Sequence, residues 1–196
     1  MSGIWAIILA AGSSTRMKKQ KLLLPFNGKT IIETVLANAT ESVGKNVMVV
    51  LGSNREEISS KIENYKVNRC INKNHEDGML TSAICGFKAL PNNSKAALVF
   101  LGDQPQIPSS VAKFVIEEWK KSGKGIVVPV FQKRRGHPVL IETRFISEIE
   151  NLDQNRGLKQ LLVKHPEEVL EVDCTQQEIL RDIDTPEEYE IEINKL

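Results

Sequence analysis

Apolar residues occur in this chain as short unbroken runs, each ended by a polar, glycine-marked break. The first run, Ile4-Trp5-Ala6-Ile7-Ile8-Leu9, passes directly into Ala10-Ala11-Gly12-Ser13-Ser14-Thr15-Arg16-Met17. Six consecutive apolar residues closed by small ones predict a buried strand and a tight loop. Residues 46–51 and 96–101 repeat the pattern, ending at Gly52-Ser53-Asn54 and at Gly102-Asp103-Gln104-Pro105. Both predict strands covered on two faces, and residues 67–71 predict a weaker one.

Between the runs the spacing turns helical. Thr30, with Glu33 three residues on, predicts a capped helix through residue 39. Polar helices are expected from Ser53 or Asn54 to about 64, and from Gly78 to near 89. Ser109 or Ser110 starts another through 121, with Val111, Phe114, Val115 and Trp119 as its apolar stripe. After it the rhythm changes: a strand at 126–130 is interrupted by Lys133-Arg134-Arg135-Gly136-His137-Pro138 and resumes at 139–141. Short helices are expected at 146–151 and 158–164, a last strand at 169–172, and a helix capped by Thr185 with Pro186 in its first turn.

A strand–loop–helix unit repeated about four times predicts an α/β fold with a mostly parallel, Rossmann-like central sheet and helices on both faces. We expect one three-layer domain over 1–196, with a small hairpin-like excursion in the C-terminal third and no linker to divide it. In such sheets ligands bind beyond the carboxyl ends of the strands. The Gly12 and Asp103 loops both lie at such ends.

Composition narrows the function. The 196 residues carry 26 basic and 25 acidic side chains, a net charge of +1, so no global field favours nucleic acid or an anionic membrane. Cys70, Cys85 and Cys174 form no C-x-x-C pair, and neither a zinc site nor a disulfide framework is expected. The Ile4 run is too short and lacks the basic start of a signal peptide, and no stretch reaches the ~20 apolar residues of a membrane span. A cytoplasmic protein is expected.

The small-residue loop can bring backbone N–H groups against phosphate oxygens, with Arg16 and Lys21 as fixed cations beyond it. Asp103, directly after a strand, can hold Mg²⁺ against those phosphates, because Mg²⁺ takes one or two carboxylates and fills its shell with water and phosphate. Asp182 and Asp184 flank Ile183 in an extended segment and are expected on opposite faces, so that at most one joins Asp103. Asp184, next to the Thr185 cap, is the better second ligand. Lys133, Arg134 and Arg135 are expected on an exposed basic turn, while His137 beside them suits an anion. No G-x-S-x-G, G-x-x-x-x-G-K-[ST] or G-x-G-x-x-G is present, which sets aside serine hydrolases, P-loop enzymes and ordinary dinucleotide folds.

Leu9-Ala10-Ala11-Gly12-Ser13-Ser14-Thr15-Arg16-Met17 with Lys21 resembles the L-A-A-G-x-S-x-R-M-G-x-x-K signature of nucleotidyltransferases with a GT-A-like fold. Gly102-Asp103-Gln104-Pro105, Gly136-His137-Pro138-Val139 and Asp182-Ile183-Asp184-Thr185-Pro186 resemble further motifs of one branch. That branch holds molybdenum cofactor cytidylyltransferases and molybdenum hydroxylase accessory proteins. The resemblance runs from Ile4 to about Tyr189. It implies Mg²⁺-dependent transfer of CMP from CTP, or of a nucleotide from another NTP, to a molybdopterin-type phosphorylated acceptor with release of pyrophosphate. A molybdenum hydroxylase is then the implied partner.

By the same resemblance Leu9, Ala10, Ala11 and Gly12 contact the base and the ribose phosphate. Arg16 and Lys21 bind the triphosphate, and Gly78 and Ser82 belong to a small-residue segment near the nucleotide. Asp103 and Asp184 hold metal, and His137 lies on the acceptor side. Lys18 replaces the signature's glycine after Met17, and Gln154-Asn155-Arg156-Gly157 stands where the branch has G-D-x-G. Two alternatives remain at this point: a nucleotidyltransferase for a sugar or alcohol phosphate, and a non-catalytic accessory protein that binds cofactor for a hydroxylase.

Overall fold

The computed structural model describes residues 3–13, 17 and 20–195. The chain runs β1 (Ile4–Ala10), the small hairpin β2 (Pro25–Phe26) and β3 (Lys29–Thr30), α1 (Ile31–Val43), β4 (Val47–Leu51), α2 (Arg55–Lys61), β5 (Asn68–Ile71), α3 (Met79–Lys88), β6 (Ala96–Leu101) and α4 (Ser109–Ser122). It continues with β7 (Ile126–Phe131), β8 (Arg134–Arg135), β9 (Val139–Glu142), α5 (Ile146–Ile149), α6 (Lys159–Lys164), β10 (Val169–Asp173) and α7 (Pro186–Ile193).

The apolar runs occupy the middle of one sheet, ordered β10-β7-β9-β6-β1-β4-β5. β1 lies parallel to both β4 and β6, with Ile8 opposite Val49 and Phe100. Every residue of β4 and β6 is buried, as unbroken hydrophobicity requires of a strand covered on both faces. The period of two along β1 divides the core. Ile8 packs with Leu36, Val115 and the rest of the α1–α4 side, and Ile7 with Phe87, Ile149 and Leu161 under α3, α5 and α6. This is a three-layer α/β domain.

The hairpin-like excursion expected in the C-terminal third is present, and its last strand enters the main sheet. β7 turns back on β8, while β9 runs on past it and inserts between β6 and β7, antiparallel to both. An apolar three-residue run resuming after a turn can pair with either neighbour, and burial between two covered strands decides it. The His137–Pro138 peptide leading into β9 is cis. α2 ends slightly earlier than expected, at Lys61, while Tyr65 and Val67 beyond it still pack against the core that holds Ile58 and Ile62.

The caps expected at Thr30 and Thr185 both form, and each is a full capping box. Thr30 accepts from the Glu33 N–H at the start of α1, and Thr185 from the Glu188 N–H at the start of α7. The second fixes the chain just after residues 181–184. That segment is tied across the end of β6 by the Ile183 N–H, which donates to the Asp103 carbonyl at 3.1 Å, and by the fully buried Ile183 side chain.

Candidate active site

A cavity of about 630 Å³ opens beyond the carboxyl ends of β1 and β6, where parallel sheets of this kind bind ligands. Leu9, Ala11 and Gly12 line it from the first loop, Gly78, Met79 and Ser82 from the start of α3, and Asp103, Asp182 and Asp184 from the far side. Ala10 is buried on the α1 side of the sheet, so its side chain is core. Arg16 and Lys18 lie outside the described residues.

The strand ends meet closely. A Cβ on Gly102 would stand 2.8 Å from the Leu9 carbonyl oxygen, so any larger residue would push Asp103 away from the first loop. A Cβ on Gly12 would meet nothing within 4 Å. Packing therefore does not require glycine there, and the missing side chain leaves open space in the cavity for a ligand to approach the backbone.

Lys21 sits between two acids from distant parts of the chain. Its Nζ donates to Asp103 Oδ2 at 2.6 Å and to Asp184 Oδ1 at 2.7 Å. All three side chains are mostly buried, 12% exposed for the lysine and 20% and 24% for the acids. Burial pulls the Lys21 pKa down, but the charge and hydrogen bonds of Asp103 and Asp184 outweigh it, and the net shift is upward. Two carboxylates already converging on one positive centre are chemically suited to a divalent cation. Among the described residues no group of three or more His, Cys, Asp or Glu is arranged to hold a metal; a cation here has two carboxylates and would complete its shell with water or phosphate.

Asp182 corrects the expectation of opposite faces. It lines the same cavity as Asp184, because residues two apart in an extended segment project to one side while Ile183 between them faces the core. Gln104 Nε2 donates to Asp182 Oδ1 at 2.7 Å. Burial raises the Asp182 carboxyl's pKa, the Asp103 charge adds to this, and the Gln104 hydrogen bond works against both. The period of two was the signal that identifies Asp182 as a lining residue. His75 and Glu76 also line the cavity, and no motif marks them.

Ser82 is held from behind. Asn72, 5% exposed, donates from Nδ2 to Thr81 Oγ1 at 2.9 Å and to Ser82 Oγ at 3.0 Å. Gly78, at φ 104°, starts α3 where its first turn meets the cavity.

His137 lines a second cavity of about 610 Å³ with Asn155, Arg156 and Lys159, and this cavity shares Leu9 and Met79 with the first. The three cations beside it in the sequence lie elsewhere, on the exposed basic turn expected of them. Lys133, Arg134 and Arg135 are exposed on the β7–β8 turn, where Arg135 pairs with Glu171 at 2.7 Å. Burial, and after it the Lys159 charge, lower the His137 pKa to about 4. The ring is neutral at neutral pH and meets an anion only as a hydrogen-bond partner.

The family model for the MobA-like NTP transferase domain matches residues 6–169. Molybdenum cofactor cytidylyltransferase of Escherichia coli K12 is 26% identical over 190 residues, covering 96% of this chain and 95% of that protein. Nicotine blue oxidoreductase of Paenarthrobacter nicotinovorans is 25% identical over 194 residues, 94% of each. Among solved structures, Rv0371c of Mycobacterium tuberculosis H37Rv superposes with a TM-score of 0.86 at 22% identity, over 97% of each chain. A structure of the same protein in complex with manganese gives 0.80 at 21% identity, over the whole of both chains. These superpositions confirm the fold. Among the described residues no helix is long and apolar enough to cross a membrane.

Proposed function

The chain belongs to the MobA-like NTP transferase domain family and is a nucleotidyltransferase; within that activity we propose that it transfers CMP from CTP to a molybdopterin-type phosphorylated acceptor, releasing pyrophosphate. The observation that carries the site assignment is the meeting of Asp103 and Asp184 on one cationic centre, Lys21 Nζ, at the wall of the cavity beyond β1. In this reading Asp103 and Asp184 hold Mg²⁺. A divalent cation held there would supply charge neutralisation to the triphosphate.

The chain's own groups do the positioning. The loop from Leu9 to Gly12 offers its backbone to the nucleotide, and Gly78 and Ser82 close the opposite wall. Lys21 exchanges its carboxylate partners for triphosphate oxygens when cation and nucleotide enter together, so each ligand favours binding of the other. Arg16 adds a second cation to the triphosphate. No side chain has to abstract a proton, since a phosphate monoester is ionised at neutral pH, and an in-line attack needs alignment above all.

The second cavity suits the acceptor. Leu80, Val99 and Leu158 give it apolar walls for a flat heterocycle, Arg156 and Lys159 give it cations for the acceptor phosphate, and neutral His137 gives a hydrogen bond. The shared Leu9–Met79 boundary brings the two substrates together. The choice of CTP rests on Leu9-Ala10-Ala11-Gly12, which resembles the L-A-A-G that accompanies CTP in this branch, and on the cytidylyltransferase relative matched over 95% of its length. A molybdenum hydroxylase, receiving the product in the cytoplasm, is the partner this reading supplies.

The test is pyrophosphate release from each of the four NTPs with Mg²⁺ and a panel of phosphorylated acceptors. Release confined to CTP with molybdopterin supports the reading. Release with a sugar or alcohol phosphate instead overturns the acceptor, and release with GTP alone overturns the nucleotide.

A further inference from the structure

Cys70 and Cys85 take no part in the site described above, yet the fold sets them face to face. Cys70 lies on β5 and Cys85 on the second turn of α3, and their Sγ atoms are 3.5 Å apart. Both thiols are half-buried and free, and both line a surface cleft of about 540 Å³ through which a small reagent can reach them. We propose that Cys70 and Cys85 form a reversible intramolecular disulfide by exchange with a low-molecular-weight disulfide, and that closing it alters the nucleotide cavity.

The step balances as ordinary thiol–disulfide exchange. One protein thiolate attacks a sulfur of the reagent R–S–S–R and expels one thiolate, giving a mixed disulfide. The second protein thiolate then attacks the protein sulfur of that mixed disulfide and expels the other. The net change is two protein thiols and R–S–S–R going to one protein disulfide and two R–SH, with the reagent reduced. Burial, and then the neighbouring Cys85, push the Cys70 thiol up to about 12; both sulfurs line the cleft, so the reagent can be met there by either.

Geometry connects the pair to the cavity. Asn72 lies two residues beyond Cys70, and Thr81 and Ser82 lie one turn before Cys85 on α3. The Asn72 bonds to Thr81 and Ser82 therefore belong to the same β5–α3 seam as the two sulfurs. Thr81 Oγ1 also reaches the Asn74 and Gly78 carbonyls at 2.8 Å each, tying the loop after β5 to the first turn of α3. A disulfide requires its sulfurs at about 2.05 Å, far closer than the thiols stand. Drawing them together pulls α3 against β5 and displaces Ser82 and Gly78, which line the cavity.

The consequence for the nucleotide rests on the site proposed above, whereas the disulfide does not, and the experiment separates them. The full chain is treated with oxidised glutathione, then analysed by peptide mass mapping, by hydrogen exchange over residues 72–88, and by calorimetric titration with CTP and Mg²⁺ before and after reduction. We expect a peptide linked through Cys70 and Cys85, slowed exchange over 72–88, and CTP affinity several-fold weaker, all reversed by dithiothreitol. Cys85→Ser abolishes the response and Cys174→Ser leaves it intact. Glutathione retained on either thiol without a link, or a link to Cys174, would overturn the disulfide. A Cys70–Cys85 link with unchanged exchange and unchanged affinity would overturn the coupling. Failure of the reduced protein to bind any NTP would instead remove the cavity assignment, and the mass map would still decide the disulfide.

Discussion

The Lys21 ammonium holds together two carboxylates that would otherwise repel each other at the cavity wall. The same ammonium is the group best placed to follow a triphosphate into the cavity. Lys21→Ala is expected to raise KM for the NTP by roughly 10- to 100-fold, the loss of one charge-assisted hydrogen bond; steady-state kinetics reads it, and an unchanged KM would put the triphosphate elsewhere. His137 makes the opposite case, a histidine kept neutral. Its imidazole titrates at about 6.5 in the unfolded chain and at about 4 when folded. Between those values the unfolded state binds more protons, so stability is lost as pH falls through that window, on the order of 3 kcal/mol in full. Urea midpoints measured from pH 7 to pH 4 should fall less steeply in His137→Gln than in the wild type; parallel curves would show that His137 is not the titrating group. Asp103 and Asp184 stood out in the sequence as residues at a strand end and beside a helix cap, and Lys21 as a cation following the first small-residue loop. Asp182 was misplaced, although the alternation that puts it beside Asp184 was there to be read.

At the scale of the element, close approaches and caps hold the site in place. Gly86 of α3 lies against the sheet so tightly that a Cβ would stand 2.5 Å from Ile7 Cγ2 and 3.0 Å from Val50 Cγ2. Gly86→Ala should therefore cost about 1–3 kcal/mol by overpacking, despite alanine's better helix propensity, and a thermal melt will show it; a stabilised variant would mean that α3 shifts freely on the sheet. The Thr185 cap works at longer range. The Glu188 carboxylate accepts from the Thr185 N–H at 2.9 Å and from the Asp184 N–H at 2.8 Å, so the capping box also orients Asp184. Thr185→Ala should cost about 1 kcal/mol, or roughly 3 °C in Tm, and raise KM for the NTP, with Thr185→Ser restoring both. Both Thr30 and Thr185 were legible as caps because a cap is a local pattern, although Glu188 as the partner of Thr185 was not singled out. The early end of α2 was not legible, since no glycine or proline in residues 55–67 marks it.

For the whole molecule, the three-layer architecture followed from the period of the apolar runs, and the position of the site from the rule that parallel sheets bind ligands at their carboxyl ends. The insertion of β9 between β6 and β7 could not be read in advance, because pairing across forty residues depends on competition between covered neighbours. The same is true of the contact between Cys70 and Cys85, fifteen residues apart on different elements. What the sheet achieves is the convergence of three distant stretches, the loop after β1, the end of β6 and the segment before α7, on one cationic centre. Mn²⁺ titration followed by electron paramagnetic resonance, with CTP present, tests that convergence most directly. The wild type is expected to bind Mn²⁺ more tightly with CTP than without it, and Asp103→Asn and Asp184→Asn should each lose that CTP-dependent binding while keeping the wild-type circular dichroism. Undiminished Mn²⁺ binding in both variants would contradict a site built on Asp103 and Asp184.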